Sequence, residues 1–160
     1  MSFEIITKPF PAHPEYLATT PYVEEVVSGG AKDAVLVDIR SMEEYIGAKE
    51  DYPFLDTLGR IPGAKWGHWG PSTFVGGDFW DATDGTLRSY TELAQMWKDY
   101  GITPDKRVSF YCGTGCRSSL GFLYSYLIGF PNIKNYDGSW YEWSLGTGSE
   151  KRAWETGWTF

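Results

Sequence analysis

The chain is poor in cysteine. Only Cys112 and Cys116 occur in 160 residues, four positions apart, which rules out the disulfide framework of a small secreted domain. No further Cys or His stands at the spacing a structural zinc site needs. Positive charge is also scarce. Fourteen Lys and Arg face twenty-one Asp and Glu, a net charge of −7, so nothing here could neutralise a nucleic-acid backbone or favour an anionic membrane surface. An anionic ligand has to be held by local donors rather than by the overall field. No apolar run approaches the roughly 20 residues that span a bilayer. The segment Met1-Ser2-Phe3-Glu4-Ile5-Ile6 has neither a basic stretch nor an apolar core, so no signal peptide is expected. The chain reads as cytoplasmic as it stands, or periplasmic if an upstream signal was removed. Internal repeats and low-complexity tracts are absent, and one domain over residues 1–160 is expected, with a core at about 20–146. A piece of a longer tandem protein fits the same pattern.

Aromatic residues, by contrast, are abundant at 18%, with eight Trp and eleven Tyr. They predict a dense core and stacked walls around a cleft. Strand and helix patterns alternate. Residues 3–6 and 64–69 read as short strands. Ala34-Val35-Leu36-Val37-Asp38-Ile39 is a continuous apolar run ending in an acid, as in a buried parallel strand. Residues 107–111 and 133–136 read as two more strands. Thr20-Pro21 predicts a helix start, and that helix stops at Gly29-Gly30. Ser41 with Glu44, Ser89 with Glu92, and Ser139 with Glu142 have the spacing of capping boxes. A strongly apolar helix is expected over about 117–130. Residues 48–62 read as an insertion-like loop, 70–86 as an irregular loop, and the chain after Gly146 as a tail or linker. The fold class is α/β, with a mostly parallel central sheet flanked by helices.

The chemistry concentrates in Phe110-Tyr111-Cys112-Gly113-Thr114-Gly115-Cys116-Arg117-Ser118-Ser119. A Cys closes an apolar strand, a Gly-bearing turn follows, and an Arg opens a helix. Ligands of open α/β sheets bind beyond the carboxyl ends of strands. The turn can aim successive backbone N–H groups at an anion, and the helix adds the positive end of its dipole. Arg117 adds a permanent charge. Together these favour the thiolate of Cys112, which is the reactive form. Gly113 and Gly115 allow the backbone angles that such a turn needs.

This segment resembles the active-site loop of the rhodanese superfamily, Cys-x4-Arg between a strand and a helix. The resemblance runs along most of the chain. Leu36-Val37-Asp38-Ile39-Arg40 resembles the family's first signature strand. Gly59-Arg60-Ile61-Pro62-Gly63-Ala64 resembles the second signature, with Arg60 where His is usual. Tyr136-Asp137-Gly138-Ser139-Trp140-Tyr141-Glu142-Trp143 is similar to the segment after the last strand. The loop start and the Trp-rich ending are similar to the C-terminal domains of multi-domain bacterial thiosulfate sulfurtransferases.

The resemblance implies a three-layer rhodanese-like fold and a two-step cycle with no cofactor and no metal. Cys112 takes the outer sulfur of a small anionic donor such as thiosulfate or a polysulfide, and the persulfide gives it to a thiol, cyanide or protein acceptor. In this reading Cys112 and Arg117 are catalytic. Gly113, Thr114, Gly115, Cys116 and Ser118 form the substrate- and persulfide-binding loop. Asp38, Arg40, Trp69 and Trp140 support it. A persulfide carrier serving a protein donor is the alternative. A phosphatase or arsenate reductase is disfavoured, because the related loops have five residues between Cys and Arg. A catalytically silent binding module is disfavoured by the intact Cys112 and Arg117.

Other residues carry smaller expectations. Asp38 and Arg40 either organise charge at the loop or form a buried ion pair. Glu44 stands where some sulfurtransferases bind substrate with Arg, and its capping box explains it. Arg60 is read as a surface substitution. Lys65 and His68 could line the cleft, and His13 is expected to be exposed. Trp66, Trp69, Trp140 and Trp143 flank the loop as walls or core. Cys116 is either a resolving thiol or a small hydrophobe turned into the core, with the second preferred.

Overall fold

A computed structural model describes residues 11–70, 76–146 and 152–157. The strand expected at residues 3–6 lies outside the described residues. Five strands form one sheet: β1 (Leu17–Ala18), β2 (Ala34–Asp38), β3 (Lys65–Trp66), β4 (Arg107–Tyr111) and β5 (Ile133–Tyr136). Their order is β1-β5-β4-β2-β3, and every neighbouring pair is parallel. The helices are α1 (Thr20–Val27), α2 (Met42–Ile46), α3 (Tyr90–Asp99), α4 (Ser118–Ile128) and α5 (Ser139–Leu145).

Side chains alternate across the sheet with the period of two that a strand imposes. Val37, Val108, Phe110 and Ile133 join one buried cluster with Leu93 and Trp97 of α3 and Tyr124 of α4. Leu36, Tyr111 and Tyr136 join a second cluster with Val23 of α1 and Trp140 and Trp143 of α5. Two cores on opposite faces make the three layers. The sheet is buried on both sides, which is why β2 reads as a continuous apolar run. Among the described residues, no helix is long and apolar enough to cross a membrane.

Several local expectations are corrected. The strand expected at 64–69 shrinks to Lys65–Trp66, because the chain turns away at His68, whose φ is +62°. Helix α1 begins at Thr20, with Thr19 as its extended N-cap and no side-chain cap bond. Of the three capping boxes only Ser41 with Glu44 forms. Ser89 caps α3 by accepting from the Thr91 N–H, and Glu92 does not reach back. Ser139 lies inside α5 rather than before it. The segment after Gly146 is no free tail where it is described. Glu155 pairs with Arg60 in an antiparallel bridge, Trp143 Nε1 donates to the Ala153 carbonyl, and Arg152 pairs with Glu24.

Arg60 is the plainest correction, since it is fully buried. Its guanidinium lies over the Tyr45 ring at 4.4 Å and donates to the carbonyls of Tyr45 and Gly157 at 3.1 and 2.6 Å. It also approaches the Glu155 carboxylate at 3.4 Å. Arg60 thereby fastens residues 152–157 to the loop before β3. A His could not span those partners with one planar fork.

Candidate active site

β4 occupies the middle of the sheet, and Cys112 follows its last residue at the carboxyl edge. The loop that leaves it is held from outside. Trp140 N–H and Tyr141 N–H at the start of α5 donate to the carbonyls of Cys112 and Gly113, both at 2.9 Å. The Cys112 N–H donates to Ser139 Oγ at 3.1 Å, and that hydroxyl donates to the Tyr136 carbonyl at 2.8 Å. Ser139 has a φ of +53°, a conformation that a non-glycine residue adopts only where its surroundings hold it. The Ser118 hydroxyl donates back to the Gly115 carbonyl at 2.9 Å.

With these carbonyls engaged, the amides are left over. Among the described residues, no backbone N–H from Gly113 to Ser118 donates to another protein group. Successive free amides on a turn leading into a helix form an anion nest, and α4 adds the positive end of its dipole. Gly115 has a φ of +88°, and a Cβ there would lie 2.7 Å from the Asp137 carbonyl oxygen, so both angle and space require glycine. The Cys112 side chain is fully buried within the cluster of α3 and α4.

Two arginines brace the loop. Arg117 Nη1 and Nη2 donate to the two carboxylate oxygens of Glu44 at 2.8 Å each, a bidentate pair that fixes the far end of the loop to α2. Glu44 also accepts from the Ser41 N–H. Burial favours the neutral acid, but the hydrogen bonds and charge of Arg117, with Arg40 nearby, prevail and bring its pKa to about 2. Burial opposes the charge on Arg117 too, and its bonds to Glu44 outweigh that and raise its pKa. Arg40 and Asp38 form the second pair, at 2.7 Å and fully buried. Arg40 also donates to the Gly59 carbonyl at 2.6 Å and lies 5.0 Å above the Trp140 ring. It thus supports the residue whose N–H holds the Cys112 carbonyl, without touching the thiol.

The stretch expected to be an insertion-like loop instead covers the site. A Cβ on Gly113 would meet the Tyr52 ring at 2.1 Å, and the Arg117 guanidinium lies 5.4 Å from the same ring. Phe54 packs on Tyr52 and on Tyr141. Glu50 reaches Arg40 at 3.4 Å, and burial raises its pKa. The Thr57 carbonyl accepts from Trp140 Nε1 at 3.1 Å. Sequence reasoning missed Glu50, Tyr52 and Phe54. The aromatic cluster Tyr52-Pro53-Phe54 inside a polar stretch was the available signal.

The remaining expected residues divide. Trp69 and Trp140 are buried, and Arg117 lies 6.0 Å from the Trp69 ring. Trp66 is buried, and its Nε1 donates to the Arg40 carbonyl. Trp143 packs in the second core. Lys65 is half-buried, and His68 faces Asp78 at 3.6 Å beneath Trp66 and Tyr100. His13 is exposed. Thr114 is half-buried. Cys116 is exposed, against the expectation that it turns into the core. A cavity of about 780 Å³ lies elsewhere, between α2, Leu58 and Trp154, and does not include Cys112.

Comparison with known proteins agrees with this arrangement. The profile of the rhodanese-like domain matches residues 23–145. The chain is 47% identical over 113 residues to the thiosulfate sulfurtransferase YnjE of Escherichia coli, covering 71% of this chain and 26% of that protein. It is 36% identical over 156 residues to the sulfur carrier protein TtuD of Thermus thermophilus, covering 86% of this chain and 52% of that one. A solved structure of EanB with a cysteine persulfide and ergothioneine superimposes with a TM-score of 0.88 at 33% identity, over 99% of this chain and 36% of that one. The chain therefore spans about half or less of each of these proteins.

Proposed function

The chain belongs to the rhodanese-like family, and from that membership and the loop geometry we propose that it is a sulfurtransferase working through a persulfide on Cys112. The observation that carries the reading is the run of partnerless amides from Gly113 to Ser118 beside the Cys112 thiol. In the first step the Cys112 thiolate attacks the outer sulfur of a donor such as thiosulfate. The donor's S–S bond breaks, and its electron pair leaves on sulfite. The free amides and the helix dipole hold the anionic sulfur now bonded to Cys112. In the second step a thiol, a cyanide ion or a protein acceptor attacks that terminal sulfur, and the Cys112 thiolate is restored.

Arg117 is a positioning residue in this scheme. Both of its Nη atoms are engaged by Glu44, so it shapes the nest and contributes field rather than gripping the donor. A persulfide carrier that receives sulfur from a protein donor is the second reading. The engagement of Arg117 favours it, because a thiosulfate dianion then meets only the Nε–H of that guanidinium without a partner. The name of the Thermus relative points the same way. Four residues between Cys112 and Arg117 support sulfur chemistry over phosphatase or arsenate reductase chemistry, which uses the longer loop.

The test is to incubate the protein with thiosulfate and cyanide, measuring sulfite, thiocyanate and intact mass, beside Cys112→Ser. Sulfite release with one added sulfur atom on the wild type, and neither on Cys112→Ser, is the expected result. Absence of both from the wild type overturns the thiosulfate reading. Loading only from a persulfidated protein selects the carrier.

A further inference from the structure

A second group of polar side chains gathers on the sheet away from the Cys112 loop. In β4 and β5, Arg107, Ser109 and Lys134 share the strand parity of Tyr111 and Tyr136, which belong to the second core. Ser109 and Lys134 are register partners, so their side chains stand together on the face that α1 covers. Tyr22 of α1 reaches the same place, with Lys134 Nζ 5.5 Å from its ring centroid. These four residues line a cavity of about 220 Å³ together with Glu15 and Tyr16. Ser109 is only 1% exposed, and its Oγ has no hydrogen-bond partner. The Tyr22 hydroxyl oxygen is buried and has no partner either. Buried hydroxyls are normally satisfied, and two unsatisfied ones on one cavity point to a group held there.

The cations beside them choose its sign. Arg107 gives Nε and Nη2 to Asp33 at 3.1 and 2.6 Å, and no protein group among the described residues takes Nη1. Lys134 Nζ donates to the carbonyls of Glu15 and Leu17 at 2.6 and 3.3 Å, which leaves the third of its protons. Glu15 is the one carboxylate lining the cavity, and His13 Nδ1 engages it at 2.9 Å. What remains are two hydroxyls that can donate and two cationic groups that can only donate.

We propose that this cavity is a binding site for a small oxyanion of the size of sulfate, separate from the Cys112 loop. The ion accepts from Ser109 Oγ, the Tyr22 hydroxyl, Arg107 Nη1 and the third proton of Lys134, and hydrogen bonds to a charged group are the strong ones. At roughly 30 Å³ per water, the volume admits such an ion with a few waters. Local donors hold it, as a protein with a net charge of −7 requires of any anion site. None of residues 112–118 lines the cavity, so its occupancy is read independently of the nest.

The experiment titrates the isotope-labelled full chain with sodium sulfate, with sodium chloride holding the ionic strength constant, and follows the backbone amides by nuclear magnetic resonance. Saturable shifts are expected at Tyr22, Ser109 and Lys134. In the double variant Ser109→Ala with Tyr22→Phe, half-saturation should need about tenfold more sulfate or beyond, the scale of losing two hydrogen bonds to a charged group. Each substitution removes a single oxygen, so the sulfate-free spectrum should keep the wild-type dispersion and show that the variant is folded. Shifts at these residues that never saturate overturn the site. So do shifts confined to residues 113–118, or an equal half-saturation in the double variant.

Discussion

The floor and the roof of the site are built in different ways. The floor, residues 112–118, is one continuous strand–turn–helix whose backbone conformation is set by its own glycines and by α5. The roof is assembled from chain far from it in sequence, Glu50 and Tyr52 from the stretch after α2, and that side of the molecule is fastened by Arg60 to residues 152–157. On the function proposed above, the floor would supply the donors for an anionic sulfur and the roof would govern what reaches it. Chemistry is therefore carried by local sequence here, and access by long-range contacts, so the two should fail separately when altered.

The largest effect is expected where floor meets support. Glu44→Ala leaves the buried Arg117 guanidinium without its bidentate partner, and removing one member of a buried pair costs about 3–5 kcal/mol. Unfolding in urea measures it, and persulfide loading should fall with it. Glu44→Gln separates the two effects, since it keeps one acceptor. The same pair predicts a pH dependence. The Glu44 pKa is depressed in the folded protein to about 2, so its contribution is complete above the unfolded value of about 4.3. That contribution is lost as pH falls from there through about 2. A wild-type acid transition in this window that Glu44→Gln lacks is the expected signature, and superimposable profiles overturn it.

Gly115→Ala comes next and stays within the floor. The left-handed backbone costs an L-residue about 1–2 kcal/mol, and the new methyl group meets the Asp137 carbonyl oxygen at 2.7 Å. Persulfide loading should drop more than thermal stability does, because the nest is distorted while the cores are not. This part of the molecule was legible in the sequence. An apolar run, a cysteine, two glycines and an arginine are adjacent in the chain, and adjacency determines their geometry. β4 and β5 have the boundaries expected of them, residues 107–111 and 133–136.

Arg60→Met moves the comparison to the roof. It deletes donors to the Tyr45 and Gly157 carbonyls and leaves the buried Tyr45 carbonyl unmatched, at about 1–3 kcal/mol. The expected readout is faster proteolysis within residues 152–157, with persulfide loading retained. Loss of loading would show that floor and roof are not separable. Arg60 and the docked segment were illegible for one physical reason. A charged residue reads as exposed unless its partners are known, and these are carbonyls at positions 45 and 157, which no local pattern reveals. Ser139 was misjudged for a related reason. Its spacing to Glu142 suits a cap, but its hydroxyl is taken by Cys112 N–H and the Tyr136 carbonyl.

Tyr52→Ala is the smallest change in stability and the sharpest test of the division. The ring is half-buried and contributes contacts to Phe54 and to the Arg117 face, so its loss should cost only about 1 kcal/mol. No loop hydrogen bond involves the side chain, so the nest stays intact. What changes is the cover over Gly113. Alkylation of Cys112 by iodoacetamide, followed in a Cys116→Ser background so that only one thiol reacts, should become several-fold faster. Cyanide should then clear the Cys112 persulfide faster as well, with loading preserved. If alkylation is unchanged, Tyr52 does not govern entry, and the path to Cys112 runs along another wall, of which Trp69 is the nearest aromatic to Arg117 after Tyr52.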